Sequence, residues 1–135
     1  MNPVVHFELP YEDKDRAAKF YQSAFGWQAN IMGPEMGNYV VVATSETDQK
    51  TMLPKVAGRI NGGLFHRTEP QQSPSVVVAT DNIGEVMKRV AAAGGKVIGG
   101  HKADGEPDEI PGVGLYCSII DSEGNRMGIL QPKGM

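Results

Sequence analysis

The sequence predicts an α+β protein built from two strand–helix–strand–strand–strand modules. Three observations lead there. Apolar periodicity switches from two residues to a helical repeat and back again, and it does so twice along the 135 residues. Each helical stretch is bracketed in the same way, by a polar capping residue before it and glycine after it. The two halves also align with a shift of 69 residues, which carries His6 to Ser75, Asp13 to Asn82 and Gly26 to Gly95. Identity between the halves is slight, so the shared order of elements carries the inference. One such unit is a four-stranded sheet with a single helix and leaves one sheet face bare. Two units together can bury more apolar area, at roughly 25 cal/mol per Å².

The elements follow in order. Residues 3–9 read as a strand with Val5, Phe7 and Leu9 on one face and Val4, His6 and Glu8 on the other. Over 13–25, Ala17, Phe20, Tyr21, Ala24 and Phe25 form one helical stripe, with Asp13 as N-cap and Gly26 as the left-handed stop. Strands are expected at 27–32, at 38–44 and, as a short closing strand, at 62–66. Residues 68–74 read as a linker between a first module, 1–67, and a second, 75–135, the whole forming one compact domain.

The second module opens with a valine-rich strand at 75–79. Asn82 and Glu85 then make a capping pattern, and Ile83, Val86, Met87, Val90 and Ala91 make a helical stripe that Gly94 and Gly95 end. Strands are expected from 96 to 100, at 115–120 and at 127–131. Between the first two of these lies an acidic, Gly- and Pro-rich stretch, 104–112, read as a loop that is either a lid or a solvated turn.

Composition narrows the function classes. Hydrophobic residues at 40% and charged residues at 21% are ordinary for a globular protein. A net charge of −3 gives no basic footprint for nucleic acid. The apolar runs are far shorter than the ~20 residues of a membrane span, and the first residues read as a strand, so no membrane partner is expected. One cysteine, Cys117, cannot close an internal disulfide, and a reducing cytoplasm is the expected setting. Its apolar surroundings, LYCSII, predict a buried inert thiol.

The opening HFELPYEDKDRAAKFYQSAFGW, the middle VVVATDNIGEVMKRVAAAGGKV and the closing GVGLYCSIIDSEGNRMGILQP resemble a known superfamily. It is the glyoxalase / bleomycin-resistance / extradiol-dioxygenase, or vicinal oxygen chelate, superfamily. The resemblance covers nearly the whole chain and implies two βαβββ modules forming cupped mixed sheets. It also implies a small-molecule cleft inside the cup, often with a divalent metal at its base, and commonly a homodimer.

The family's metal site draws on the first and last strand of each module. The resemblance carries these four positions to His6, Gly63, Ser75 and Gly128. Only His6 is a good ligand, since glycine has no donor and a neutral serine hydroxyl is a poor one. A degenerate metal site is therefore expected, with no cofactor of the glyoxalase I type; a divalent metal held by His6 with Glu8, about 7 Å along the same strand face, is the weaker alternative. His66 has the wrong strand parity to join it, and His101 lies in or beside the irregular stretch.

The candidate catalytic residues are His6, whose ordinary pKa near 6.5 suits proton transfer, and Glu8, as base or anchor. Against this, His6 could be a relic bonded to Glu8 or water. Tyr39, Gly63, Ser75, Tyr116 and Gly128 are the candidate ligand contacts. The two tyrosines could equally be core residues, and the glycines mark either a widened pocket floor or a tight approach. Three functions stay open: a small-molecule binder or enzyme using the cleft without metal; a metal-dependent lyase, isomerase or dioxygenase; and a bleomycin-type antibiotic-sequestering protein. Whether the chain is an enzyme, and on what substrate, is not fixed by the residues.

Overall fold

The computed structural model describes residues 1–100 and 105–134. The chain divides into two compact units, His6–Pro74 and Met1–Val5 together with Ser75–Met135. They are called the first and second module below. The first five residues associate with the second module: the Ala79 amide donates to the Pro3 carbonyl, and Asn2 Nδ2 donates to the Ala79 carbonyl at 3.1 Å.

In the first module the elements are β1 (Val4–Tyr11), which begins in the other unit, α1 (Lys14–Phe25), β2 (Gln28–Ile31), a 3-10 turn at Pro34–Met36, β3 (Val40–Ala43) and β4 (Asn61–His66). The strand order is β2-β3-β4-β1, with β1 and β4 parallel and the other pairs antiparallel. Asp13 caps α1 by accepting from the Arg16 amide, and Gly26 ends it at φ +71. Alternation sends Phe7, Leu9 and Tyr11 to the helix side. There they join Val40, Val42 and Leu64, all at most 1% exposed, with Ala17, Tyr21 and Trp27. The Trp27 ring lies 5.0 Å from that of Tyr21 and nearly parallel to it, so it packs between helix and sheet.

The expected stripe on α1 needs correction. Phe20 and Phe25 are 57% and 61% exposed. Twelve residues of helix lie over only four short strands, so the sheet covers one narrow band of the helix. Ala18, 5% exposed, is the buried residue of the helix, Ala17 and Tyr21 pack part-buried against the core, and Phe20 and Phe25 stay in solvent.

The second module contains β5 (Ser75–Ala79), α2 (Ile83–Ala92), β6 (Lys96–Gly99), β7 (Asp108–Ile110), β8 (Gly114–Ile120) and β9 (Arg126–Pro132). β5 runs parallel to β9, β9 antiparallel to β8, and β8 antiparallel to β6. Asn82 caps α2 by accepting from the Glu85 amide. The helix stop also differs in detail from the sequence alignment. Gly94 takes the left-handed conformation at φ +95, whereas Gly95 allows close approach, since a Cβ there would lie 2.7 Å from the Ile120 carbonyl. Ile83, Val86, Cys117, Ile119 and Ile129 form the core.

The acidic stretch 104–112 is not simply a loop. Asp108–Ile110 forms β7, which pairs antiparallel with Tyr116–Gly114 on β8. The pairing supplies backbone partners that composition could not announce. Asp104 and His101 lie outside the described residues.

Candidate functional site

Strand parity and register position the candidate residues. On β1, His6 and Glu8 point away from α1, because Phe7 and Leu9 are taken by the core on the other face. Glu8 pairs with Gly63 on β4, and Gly63 in turn pairs with Val41 on β3. Tyr39 precedes β3 and lies two residues before Val41, so the same helix-free face carries its ring.

These four residues come together. His6 Nε2 lies 2.9 Å from the Tyr39 hydroxyl, and that hydroxyl donates to Glu8 Oε2 at 3.0 Å. The phenol sits over Gly63, where a Cβ would overlap its oxygen. The space left by the missing side chain is therefore filled by the tyrosine. On the other face, Gly62 receives the Phe7 ring in the same manner.

Burial holds the His6 pKa below its ordinary value of 6.5, and the neighbouring Glu8 carboxylate opposes that shift. The ring is thus neutral at pH 7 and can accept a proton. The phenol of Tyr39 thus bridges His6 and Glu8, a partner that the sequence does not announce.

The second module has its own version of this geometry. Val77 and Ser118 flank Gly128, as Glu8 and Val41 flank Gly63. Gly63 and Gly128 are therefore equivalent, and so are His6 and Ser75. Tyr116 lies two residues before Ser118, as Tyr39 does before Val41. A Cβ on Gly128 would lie 2.6 Å from the Tyr116 hydroxyl. Each tyrosine was a candidate singly in the sequence. Both tyrosines fall within expected strands, but the glycine beneath each is 24 and 12 residues further along the chain.

Other candidates fall elsewhere. His66 ends β4 on the α1 side, with its ring 5.5 Å from that of Tyr11. Cys117 is fully buried on the α2 side, and burial pushes its thiol pKa up to about 11, which makes it inert. An open groove of about 390 Å³ lies beside α1, lined by residues including Tyr11, Arg16, Phe20 and Arg67, and contains none of the candidates.

Among the described residues, the side chains at these positions do not suit a divalent ion of the kind the fold family often holds. Among the described residues, no group of three or more His, Cys, Asp or Glu side chains converges as ligands. His6 Nε2 and Glu8 are engaged by the same phenol, and Gly63 contributes no donor atom. Ser75 stands where the second module would need an imidazole or carboxylate.

The family model for the bleomycin resistance protein-like N-terminal region matches residues 4–45. A search of curated proteins gives no match. Solved structures of similar fold include methylmalonyl-CoA epimerase from Mycobacterium tuberculosis, with a TM-score of 0.62 and 12% identity over 96% of this chain and 87% of that one. A Streptomyces coelicolor methylmalonyl-CoA epimerase variant in complex with 2-nitronate-propionyl-CoA has a TM-score of 0.67 and 12% identity, covering 100% of this chain and 97% of the other. A methylmalonyl-CoA epimerase in complex with methylmalonyl-CoA and NH4+ reaches 0.68 at 12% identity, covering 99% and 96%. In its fold and in the sequence of residues 4–45, the chain resembles the glyoxalase / bleomycin-resistance superfamily.

Proposed function

We propose that this chain binds a small molecule through the glyoxalase-like fold, without a divalent-cation centre of the glyoxalase I kind. The carrying observation is the hydrogen-bonded chain His6–Tyr39–Glu8, seated over Gly63. It supplies a polar anchor made of a neutral imidazole, a phenol and a carboxylate. Tyr39 in the first module, and Ser75 and Tyr116 in the second, are the proposed ligand contacts, with Gly63 and Gly128 contributing by seating the two phenols. The reading includes a cytoplasmic homodimer, which sedimentation and cell fractionation test.

Two variants of the reading have specific support. Proton transfer beside a carbonyl, with His6 and Glu8 as catalytic residues, is favoured by the epimerases of similar fold and by the lowered His6 pKa. Antibiotic sequestration is favoured by the family match over residues 4–45.

Calorimetric titration of chelator-treated protein with methylmalonyl-CoA and with bleomycin tests all three. Binding of either probe is expected without added cation, and Tyr39→Phe should weaken it about tenfold, the value of one or two hydrogen bonds. Solvent deuterium appearing at the carbon beside the carbonyl of methylmalonyl-CoA would identify the enzyme reading; bleomycin binding without exchange would identify sequestration. Binding or turnover that requires a divalent ion, or failure of both probes with and without cation, would overturn the proposal.

A further inference from the structure

A phenol has one proton to give and lone pairs with which to receive. Tyr39 gives its proton to Glu8 Oε2. The bond of 2.9 Å between the same hydroxyl and His6 Nε2 therefore needs its hydrogen from the imidazole. We propose that Tyr39 is a positioning residue that fixes the His6 ring with its hydrogen on Nε2 and its lone pair on Nδ1, and that glycine at 63 is what lets the phenol take this seat. The inference rests on the binding role proposed above for these residues and names the kind of ligand atom that suits them. A molecule meeting the ring at Nδ1 must bring an O–H or N–H group, as an alcohol, an enol, an amide or an ammonium does.

Two observations beyond the bond lengths support the seat. A Cβ at position 63 would overlap the hydroxyl, the Cζ and the Cε2 of Tyr39, so phenol and side chain exclude each other there. The second module repeats the arrangement at the equivalent strand positions, with Tyr116 over Gly128. A glycine in the middle of a strand costs stability through entropy and lost packing. Its presence under a tyrosine in both modules ties that cost to the placing of a hydroxyl. Ser75 stands at the place of His6 in the second module, so only the first couples its phenol to an imidazole.

Long-range nitrogen–proton NMR on uniformly nitrogen-15 labelled protein at pH 8 reads the tautomer directly, with His6→Gln assigning the ring. In the wild-type protein the two ring nitrogens of His6 should be widely separated in shift, with the protonated one assigned to Nε2. Tyr39→Phe keeps the ring volume and removes only the hydroxyl, so the separation should collapse towards a mixture of tautomers. Gly63→Ala should do the same, because the displaced atoms belong to the far end of a side chain that can swing away. Leu64→Ala damages the opposite face of the same strand and should leave the His6 signals in place, which a merely structural role for Tyr39 would not predict.

A wild-type ring protonated on Nδ1, or a His6 spectrum unchanged in Tyr39→Phe, would overturn the proposal. Should Gly63→Ala fail to fold, Tyr39→Phe still decides. An Nε2-protonated ring in a protein that binds neither probe would sink the binding role alone. The wrong tautomer in a protein that does bind would sink this inference alone.

Discussion

Leu64 shows how much one residue carries in a module this small. It is 1% exposed and packs with Tyr11, Val40 and Val42 under α1. Leu64→Ala should cost about 2–5 kcal/mol, through lost transfer free energy and the cavity left behind. Urea unfolding should show a lower midpoint with an unchanged slope; a loss under about 1 kcal/mol would mean that the site collapses freely. Its neighbour Gly63 faces the other way and contributes by having no side chain. Parity alone separates the two, as it separates Phe7 from His6 and Glu8 on β1; the structure decides which face enters the core. What parity could not say is that Tyr39 bridges His6 and Glu8, because that depends on where β3 stops sliding along β4.

At the scale of elements, local signals proved reliable where the physics is local. Asp13 and Asn82 each accept the backbone amide three residues on, and both helices begin there. Asn82→Ala should destabilise the protein by about 1 kcal/mol, whereas Asn82→Asp should retain most of the stability; thermal unfolding of the pair checks this. Equal losses in the two variants would show that the cap is not what Asn82 supplies. The turn from Asp121 to Asn125, between β8 and β9, is likewise self-contained. Asp121 accepts from the amides of Glu123 and Asn125 and from the Asn125 side chain, and Gly124 takes φ +86. Signals failed where neighbours decide. Phe20 and Phe25 have core-like spacing but are exposed while Ala18 is buried, and β7 forms by pairing with β8.

For the whole molecule, acid is the informative stress. The folded His6 pKa lies below the ordinary 6.5, so between those values the unfolded chain takes up a proton that the folded one refuses. The stability that neutral His6 supports is complete above pH 6.5 and is lost as pH falls through the folded pKa. The midpoint temperature should therefore decline with acidification below about pH 6.5, and His6→Asn should flatten that part of the profile. A parallel decline in both proteins would assign it to other groups. A separate loss belongs at lower pH. Hydrogen bonds from Asn125, and from the Glu123 amide, hold Asp121 below its ordinary 3.8; the Thr51 and Lys50 amides do the same for Asp48. What these two turns contribute is present above pH 3.8 and disappears as their carboxylates are protonated.

The sequence by itself determined the order of elements, both helix starts, the face on which each β1 residue stands and the lack of a side-chain donor at positions 63 and 128. Each of these follows from alternation, capping or side-chain chemistry within a few neighbouring residues. Only the tertiary structure decided that Tyr39 and Tyr116 each sit over a glycine, that a phenol joins His6 to Glu8, and that β6 and β7 share one flank of β8. Those facts depend on register between strands far apart in the chain, and register is set by how the apolar faces pack, which no local pattern encodes.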